Sequence, residues 1–326
     1  MSVLRWTTGR FEERGLETPR LDAEVLIASA LGLPRLQLYV QFDRPLGPEE
    51  LGAIREAVKR RQGGQSVAYV VGHKEFFGLD FAVDPRVLVP RPDTETLVDE
   101  ALARLGATGL ARKGSARAAE PAASNLDEAP ELPADPTPST TSASPLDDGS
   151  GSAPEPAAPP LRIADVGTGS GAIIVSLGQR LPGAALYAVD ASPDALDVAR
   201  GNAERHGVRV TFLEGDLGEP LMAFAPFDLI VANLPYIPSA EIAALPPEVR
   251  AEPRAALDGG PDGLDLVRRL VAAAPALLAP GGALALEVGA GQAPAVAAIC
   301  LAAGLADIQQ RRDLGSVDRV VSARKP

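Results

Sequence analysis

The sequence predicts an α/β fold, a doubly wound, Rossmann-like sheet preceded by a small all-helical region, and three observations predict it. The first is an apolar run, Leu161-Arg162-Ile163-Ala164-Asp165-Val166, that enters a glycine loop, Gly167-Thr168-Gly169-Ser170-Gly171, before Ala172 to Leu177 reads as helix. The second is a buried-strand pattern, Phe227-Asp228-Leu229-Ile230-Val231-Ala232, that ends in the turn Asn233-Leu234-Pro235-Tyr236. The third is the alternation around them. Strands are expected at 161–166, 185–189, 209–213, 227–232, 283–288 and about 318–323, with helices between most of them, as in a parallel sheet covered on both faces. Ligands of such sheets bind beyond the carboxyl ends of the strands, where both turns would lie.

The glycine loop has a physical reading of its own. Glycines let the backbone approach a ligand closely, and the following helix N-terminus offers free N–H groups to a carboxylate or phosphate. Gly167, Gly169 and Ala172 also satisfy the dinucleotide fingerprint, so a NAD-linked oxidoreductase stays open on this feature alone. The strand Ala185 to Val189 ends at Asp190, whose carboxylate would accept hydrogen bonds from ribose hydroxyls in either kind of site. After the third strand comes Gly215-Asp216-Leu217; Asp216 or its backbone neighbours either bond an adenine edge, or Asp216 simply forms the turn. Together these residues read as a site for an adenosine-containing cofactor.

Asn233 to Tyr236 turns the choice toward S-adenosyl-L-methionine. The Asn233 side-chain carbonyl and the Leu234 backbone carbonyl can each accept one N–H of a planar amino or amide group. Pro235 stiffens the turn, and the Tyr236 ring can stack on a flat group. Hydride transfer has no use for two carbonyls facing an NH2.

Upstream, residues 1–72 read as a helical domain. Thr18-Pro19 opens a helix with Leu21, Val25, Leu26, Ile27 and Leu31 on one broad apolar face. Pro48-Glu49-Glu50 opens another, with Leu51, Ile54 and Val58 inward and Arg55, Lys59, Arg60 and Arg61 expected on a solvated face. Phe76 to Val83 reads as a hairpin. Val87-Leu88-Val89-Pro90-Arg91-Pro92-Asp93-Thr94-Glu95 is an extended segment in which Asp93 or Thr94 would cap a helix over 97–105 and which would line the mouth of the cofactor site. From about 107 to 160, Pro, Ala, Ser, Asp and Glu dominate without apolar patterning, so an insertion that stays disordered is expected.

The net charge of −12 is concentrated in that insertion: setting aside the eight carboxylates between Glu120 and Pro160 leaves −4, and composition alone weighs only weakly against nucleic-acid binding. One cysteine, Cys300, excludes a disulfide within the chain and reads as a buried packing thiol, which fits a reducing cytoplasm. Met1 to Trp6 lacks the apolar run of a signal peptide, and Leu264 to Leu286 is broken by Arg268, Arg269, Pro275 and Pro280, so no membrane span is expected. His73 and His206 are far apart, and no metal site is expected.

These pieces closely resemble the HemK/PrmC family, the peptide-chain release factor glutamine methyltransferases. The resemblance spans both folded regions: Phe76-Phe77-Gly78, Val89 to Glu95, the Gly167–Gly171 loop, Asp190, Gly215-Asp216 and Asn233–Tyr236. It continues through Glu252-Pro253-Arg254-Ala255-Ala256-Leu257, Gly259 to Asp265, and Asp313-Leu314-Gly315 with Asp318-Arg319-Val320-Val321. It implies a helical substrate-recognition domain over 1–72, a hairpin linker over 73–90, and a seven-stranded methyltransferase domain over 91–326. The implied reaction moves a methyl group from S-adenosyl-L-methionine to the side-chain amide nitrogen of the glutamine in the Gly-Gly-Gln motif of class I peptide-chain release factors, in support of translation termination. Gly167, Thr168, Gly169, Ser170, Gly171, Asp190, Asp216, Leu217 and Asn233 would hold the cofactor, and Asn233, Leu234, Pro235 and Tyr236 the glutamine amide. A cytoplasmic monomer with no stable nucleic-acid or membrane partner is implied.

Position 234 departs from the family's usual Asn-Pro-Pro-Tyr. Asn-Leu-Pro-Tyr resembles the motif of ribosomal RNA adenine dimethyltransferases, which makes an amino-methyltransferase acting on adenine of rRNA or DNA the alternative. The chain also contains Gly63-Gly64-Gln65, which is expected to be a helix stop rather than a self-methylation site.

Overall fold

The computed structural model describes residues 2–106 and 159–326, so the insertion expected at about 107–160 lies, apart from its last two residues, outside the described residues. The chain begins with five helices: α1 (Ser2–Glu12), α2 (Pro19–Ala30), α3 (Gln37–Val40), α4 (Pro48–Gln62) and α5 (Val67–Val71). Leu4, Phe11, Leu26, Ile27, Ile54 and Val58 form their core.

Two expectations about these helices are corrected. Leu21 is 44 % exposed, and the neighbouring carboxylates Asp22 and Glu24 are buried instead. Arg61, expected on a solvated face, is the reason for the first: it is itself buried, and its Nε donates to Asp22 Oδ2 at 2.8 Å. Arg20 and the Tyr39 hydroxyl bond Glu24. Arg60 donates to Gln65 Oε1 at 2.8 Å and to the carbonyls of Tyr69 and Val70 at 2.9 and 3.1 Å. Arg60 and Arg61 therefore fold back onto the protein, whereas Arg55 and Lys59 are exposed as expected.

Strands β1 (His73–Phe76) and β2 (Leu79–Ala82) pair antiparallel. Their two-residue turn, Phe77-Gly78, has φ of 52° and 76°, the doubly positive geometry that matches strand twist. A 3-10 turn over Pro92–Thr94 leads into α6 (Glu95–Arg104). Thr94 is already helical and caps nothing with its side chain, contrary to expectation.

The remaining elements are β3 (Arg162–Val166), α7 (Ala172–Arg180), β4 (Ala185–Asp190), α8 (Pro193–Arg205), β5 (Val210–Glu214), β6 (Phe227–Ala232), α9 (Pro247–Arg250), α10 (Asp265–Leu277), β7 (Leu278–Glu287), α11 (Ala293–Ala302), β8 (Ala306–Arg312) and β9 (Asp318–Arg324). They form a seven-stranded sheet in the order β5-β4-β3-β6-β7-β9-β8, parallel from β5 through β7, with β9 antiparallel to both its neighbours. Strand β8 was not among the expected strands. It is a largely exposed edge with the polar run Gln309-Gln310-Arg311-Arg312, so the apolar alternation that betrays a strand is missing.

The chain lays β4 and β5 to one side of β3 and then crosses to place β6 on the other, which makes the carboxyl ends of β3 and β6 the switch point where a ligand crevice opens. One sheet face packs Ile230, Ala232, Leu284 and Leu286 against α10 and α11. The other packs Leu229, Val231, Ala283 and Ala285 with α6, α7 and the hairpin phenylalanines.

Candidate active site

A cavity of about 370 Å³ opens at this switch point. Its walls come from Val166–Ser170, Val189–Ser192, Gly215–Leu217, Asn233–Pro235, the approach segment including Pro90, Arg91 and Thr94, and Pro253 with Ala255 and Ala256. The extended segment thus lines the site, as read from its prolines.

The glycine loop is pinned from below. Gly167 N–H and Thr168 N–H both donate to the Val189 carbonyl, at 2.8 and 3.0 Å. Gly167 has φ +73°, and a Cβ there would sit 3.2 Å from Leu234 Cδ2, so glycine is what lets the two turns close on each other. Asp165, fully buried beneath the loop, accepts from Thr168 Oγ1 at 2.7 Å. Burial, with Asp190 nearby, pushes its carboxyl up to about 7, and its Oδ1 has no partner. Asp190 accepts from Gly169 N–H and Ser192 N–H, each at 2.9 Å, so one carboxylate ties the loop to the start of α8 and keeps a second lone pair on each oxygen. A Cβ at Gly169 would meet nothing within 4 Å; the loop floor is open there.

Not every residue assigned to the cofactor lines the cavity. Gly171 does not: a Cβ there would lie 3.2 Å from Ala199 Cβ, so this glycine serves the close approach of α7 to α8. Asp216 and Leu217 do line it, but the Asp216 carboxylate is paired with Arg269. What the segment offers is the Asp216–Leu217 backbone, with Leu217 held at φ 49°.

At the end of β6, Asn233 donates from Nδ2 to Thr94 Oγ1 at 3.3 Å. Glu287, 2 % exposed at the end of β7, has the polar groups of Thr94 and Asn233 beside it, and both favour its charged form. No described group donates to Asn233 Oδ1 or to the Leu234 carbonyl, leaving two acceptors at the cavity wall. The Leu234 side chain is buried and packs over Gly167. Tyr236 lies outside the lining, behind the turn, with its ring against Gly289. Burial and the nearby Glu287 push its hydroxyl up to about 12, and its carbonyl accepts from Gln292 Nε2 at 2.9 Å.

Sequence reasoning missed Glu287 and the particular tasks of Thr94, Arg91 and Glu252. Arg91 pairs with Glu252 at 2.6 Å, tying the approach segment to the loop that supplies Pro253–Ala256. A lone carboxylate ending the apolar run Leu284-Ala285-Leu286 was the available signal for Glu287. Gln65 of Gly63-Gly64-Gln65 is outside the cavity lining; Gly63 ends α4.

S-adenosyl-L-methionine suits this cavity: an open glycine floor beside a helix start, a carboxylate with spare lone pairs on the rim, and apolar walls from Val166, Leu217 and Leu234. Fold and site together define an S-adenosylmethionine-dependent methyltransferase. Residues 163–251 match the family model described as a methyltransferase domain, and residues 2–72 the one described as the PrmC N-terminal domain. Over 323 residues, 99 % of this chain and 95 % of the relative, the sequence is 45 % identical to the release factor glutamine methyltransferase of Geobacter sulfurreducens. The Chlorobaculum tepidum release factor glutamine methyltransferase is 40 % identical over 328 residues, 99 % of this chain and 96 % of the relative. Among solved structures, the hMettl16 catalytic domain in complex with MAT2A 3'UTR hairpin 6 matches with a TM-score of 0.52 at 13 % identity, over 80 % of this chain and 81 % of that one, a likeness of fold alone. The chain belongs to the release factor glutamine methyltransferase family. Among the described residues, no helix is long and apolar enough to cross a membrane, and no group of His, Cys, Asp and Glu is arranged to hold a metal ion.

Proposed function

We propose that this protein methylates the side-chain amide nitrogen of the glutamine in the Gly-Gly-Gln motif of class I peptide-chain release factors, using S-adenosyl-L-methionine. The observation that carries the reading is the pair of undonated acceptors, Asn233 Oδ1 and the Leu234 carbonyl, set beside the glycine loop. When bound, S-adenosyl-L-methionine supplies a methyl group already activated by its sulfonium charge. Gly167 to Ser170, Asp190 and the Asp216–Leu217 backbone hold it in this reading.

The chain's own residues have mostly to position the acceptor. An amide nitrogen is a weak nucleophile because its lone pair is delocalised into the carbonyl. Asn233 Oδ1 and the Leu234 carbonyl each accept one of its N–H groups and fix where its lone pair points. As positive charge grows on nitrogen, both bonds strengthen, so they favour the transition state over the neutral amide. Each such charge-assisted bond contributes about 1.5–3 kcal/mol. The methylated, cationic amide is acidic enough to lose its proton without a dedicated base. Leu234 supplies its backbone carbonyl as a proline would, so the departure from Asn-Pro-Pro-Tyr leaves the clamp's chemistry intact. Substrate recognition falls to the helical region, which meets α9, just before the cavity-lining Pro253–Ala256 segment, through Arg61 and Glu248 at 2.5 Å.

Incubation with radiolabelled S-adenosyl-L-methionine and, separately, release factor, ribosomal RNA and duplex DNA tests the proposal. Label is expected on the glutamine of the release factor; label on nucleic acid alone overturns it.

A further inference from the structure

A carboxamide has an acceptor end and a donor end of nearly the same shape, so an asparagine clamp works only if something decides which end faces the substrate. With Oδ1 outward, Asn233 accepts N–H from an amide. With Nδ2 outward, it would instead donate to the amide carbonyl and present the wrong atom to the methyl group. Building on the proposed glutamine acceptor, we infer that Glu287, acting with Thr94, is a positioning residue that locks the Asn233 carboxamide with Oδ1 toward the substrate and so selects N–H over C=O.

Topology brings the three residues together. Pairing of β6 with β7 sets Ala232 beside Leu286, so Asn233 and Glu287 follow side by side. Both then project to the face covered by α6, whose preceding residue is Thr94. An ionised carboxylate only accepts hydrogen bonds. The Thr94 hydroxyl hydrogen is therefore drawn to Glu287, which leaves the Thr94 oxygen to accept from Asn233 Nδ2, at 3.3 Å. The reversed carboxamide would set Oδ1 against Thr94 Oγ1 and the carboxylate, with no hydrogen between them.

Packing alone gives no account of a carboxylate here. Glu287 lies between the buried Leu286 and Val288, and its Oε2 has no partner, a costly arrangement that an apolar residue would avoid. The charged and titratable groups around it are Arg319 of β9, Asp93 of the approach segment and Tyr236. Burial outweighs Thr94, Arg319 and Asn233 and pushes the carboxyl up to about 7. Below that pH a protonated Glu287 becomes a donor, and the preference for one carboxamide orientation is lost.

The test compares wild type with Glu287→Gln, which keeps the volume but can donate as well as accept. Turnover on release factor at saturating substrate is expected to fall about tenfold or more, while KM for release factor and calorimetric cofactor affinity stay within about threefold. Wild-type turnover is expected to rise between pH 6 and pH 8, and that limb should be flat in the variant. Wild-type kcat with the limb retained in Glu287→Gln overturns the inference. Thr94→Val and Thr94→Ser give an independent reading should Glu287→Gln fail to fold: Val is expected to lower kcat and Ser to restore it, and equal values for the two overturn the inference. Wild-type protein that leaves release factor unlabelled removes the proposed function and this inference with it; an active wild type with an unaltered variant removes the inference alone.

Discussion

In the helical region, buried carboxylates have cations and hydroxyls at hand. Asp22 meets Arg61, and Glu24 meets Arg20 and Tyr39. Although burial works the other way, Tyr39 and Arg20 hold Glu24 below the usual carboxylate range. Behind the sheet, Ser322, Arg104 and Arg311 do the same for Glu100 against its burial. Around the cavity the pattern inverts. Asp165 and Glu287 are just as buried, each keeps one oxygen without a partner, and burial lifts both to about 7. Charge-balanced carboxylates hold parts of the scaffold in place. Unbalanced ones mark where the fold gives up stability to orient a loop or a side chain, which is the usual signature of a working site.

That contrast can be broken most forcefully at Arg61. Arg61→Leu strands Asp22 in the core and frees Glu248, and removing one partner of a buried pair costs about 3–5 kcal/mol. Chemical denaturation should report a loss of that order; a loss near zero would mean that the pair is not effectively buried.

At the cavity the largest effect falls on turnover rather than stability. Asn233→Ala is expected to lower kcat on release factor by about a hundredfold or more while cofactor affinity stays within about tenfold. Unchanged turnover in a methyl-transfer assay would take Asn233 out of the mechanism. Asp190→Ala should do the converse, weakening S-adenosyl-L-methionine about tenfold through lost hydrogen bonds to the ribose and a loosened Gly169 amide. Calorimetry against steady-state kinetics separates the two, and an effect confined to kcat would refute the ribose assignment.

An effect read only through its pH dependence sharpens the carboxylate comparison itself. Asp165 is lifted to about 7, whereas an unfolded aspartate ionises near its ordinary value of about 4. Between those values the unfolded chain has released a proton that the folded chain retains, so this group's contribution to stability is lost as pH rises from about 4 to about 7 and is constant above. Asp165→Asn carries no such penalty. Thermal melts should therefore show the variant gaining on wild type between pH 4.5 and pH 7.5; a constant gap would place Asp165 with the balanced carboxylates.

The sequence by itself determined the features whose physical demands are local. Gly167 and Gly169 announce a backbone turn that side chains would obstruct, and the runs before them and before Asn233 announce buried strands ending at one sheet edge. The core strand expected at 283–288 was legible for the same reason. What a side chain pairs with was decided by tertiary structure alone. Asp93 and Thr94 read as helix caps, yet Asp93 pairs with Arg319 and Thr94 with Asn233, 139 residues away in the chain. Leu21 reads as core until Arg61, 39 residues on from Asp22, makes the carboxylate the better residue to bury. Strand β8 exists because β9 offers it a ladder, not because its own residues alternate. Glu287 becomes a neighbour of Asn233 only when β6 and β7 pair. Backbone requirements are met by the residues that carry them, whereas charge compensation and the orientation of a carboxamide depend on partners that only the folded chain brings within reach.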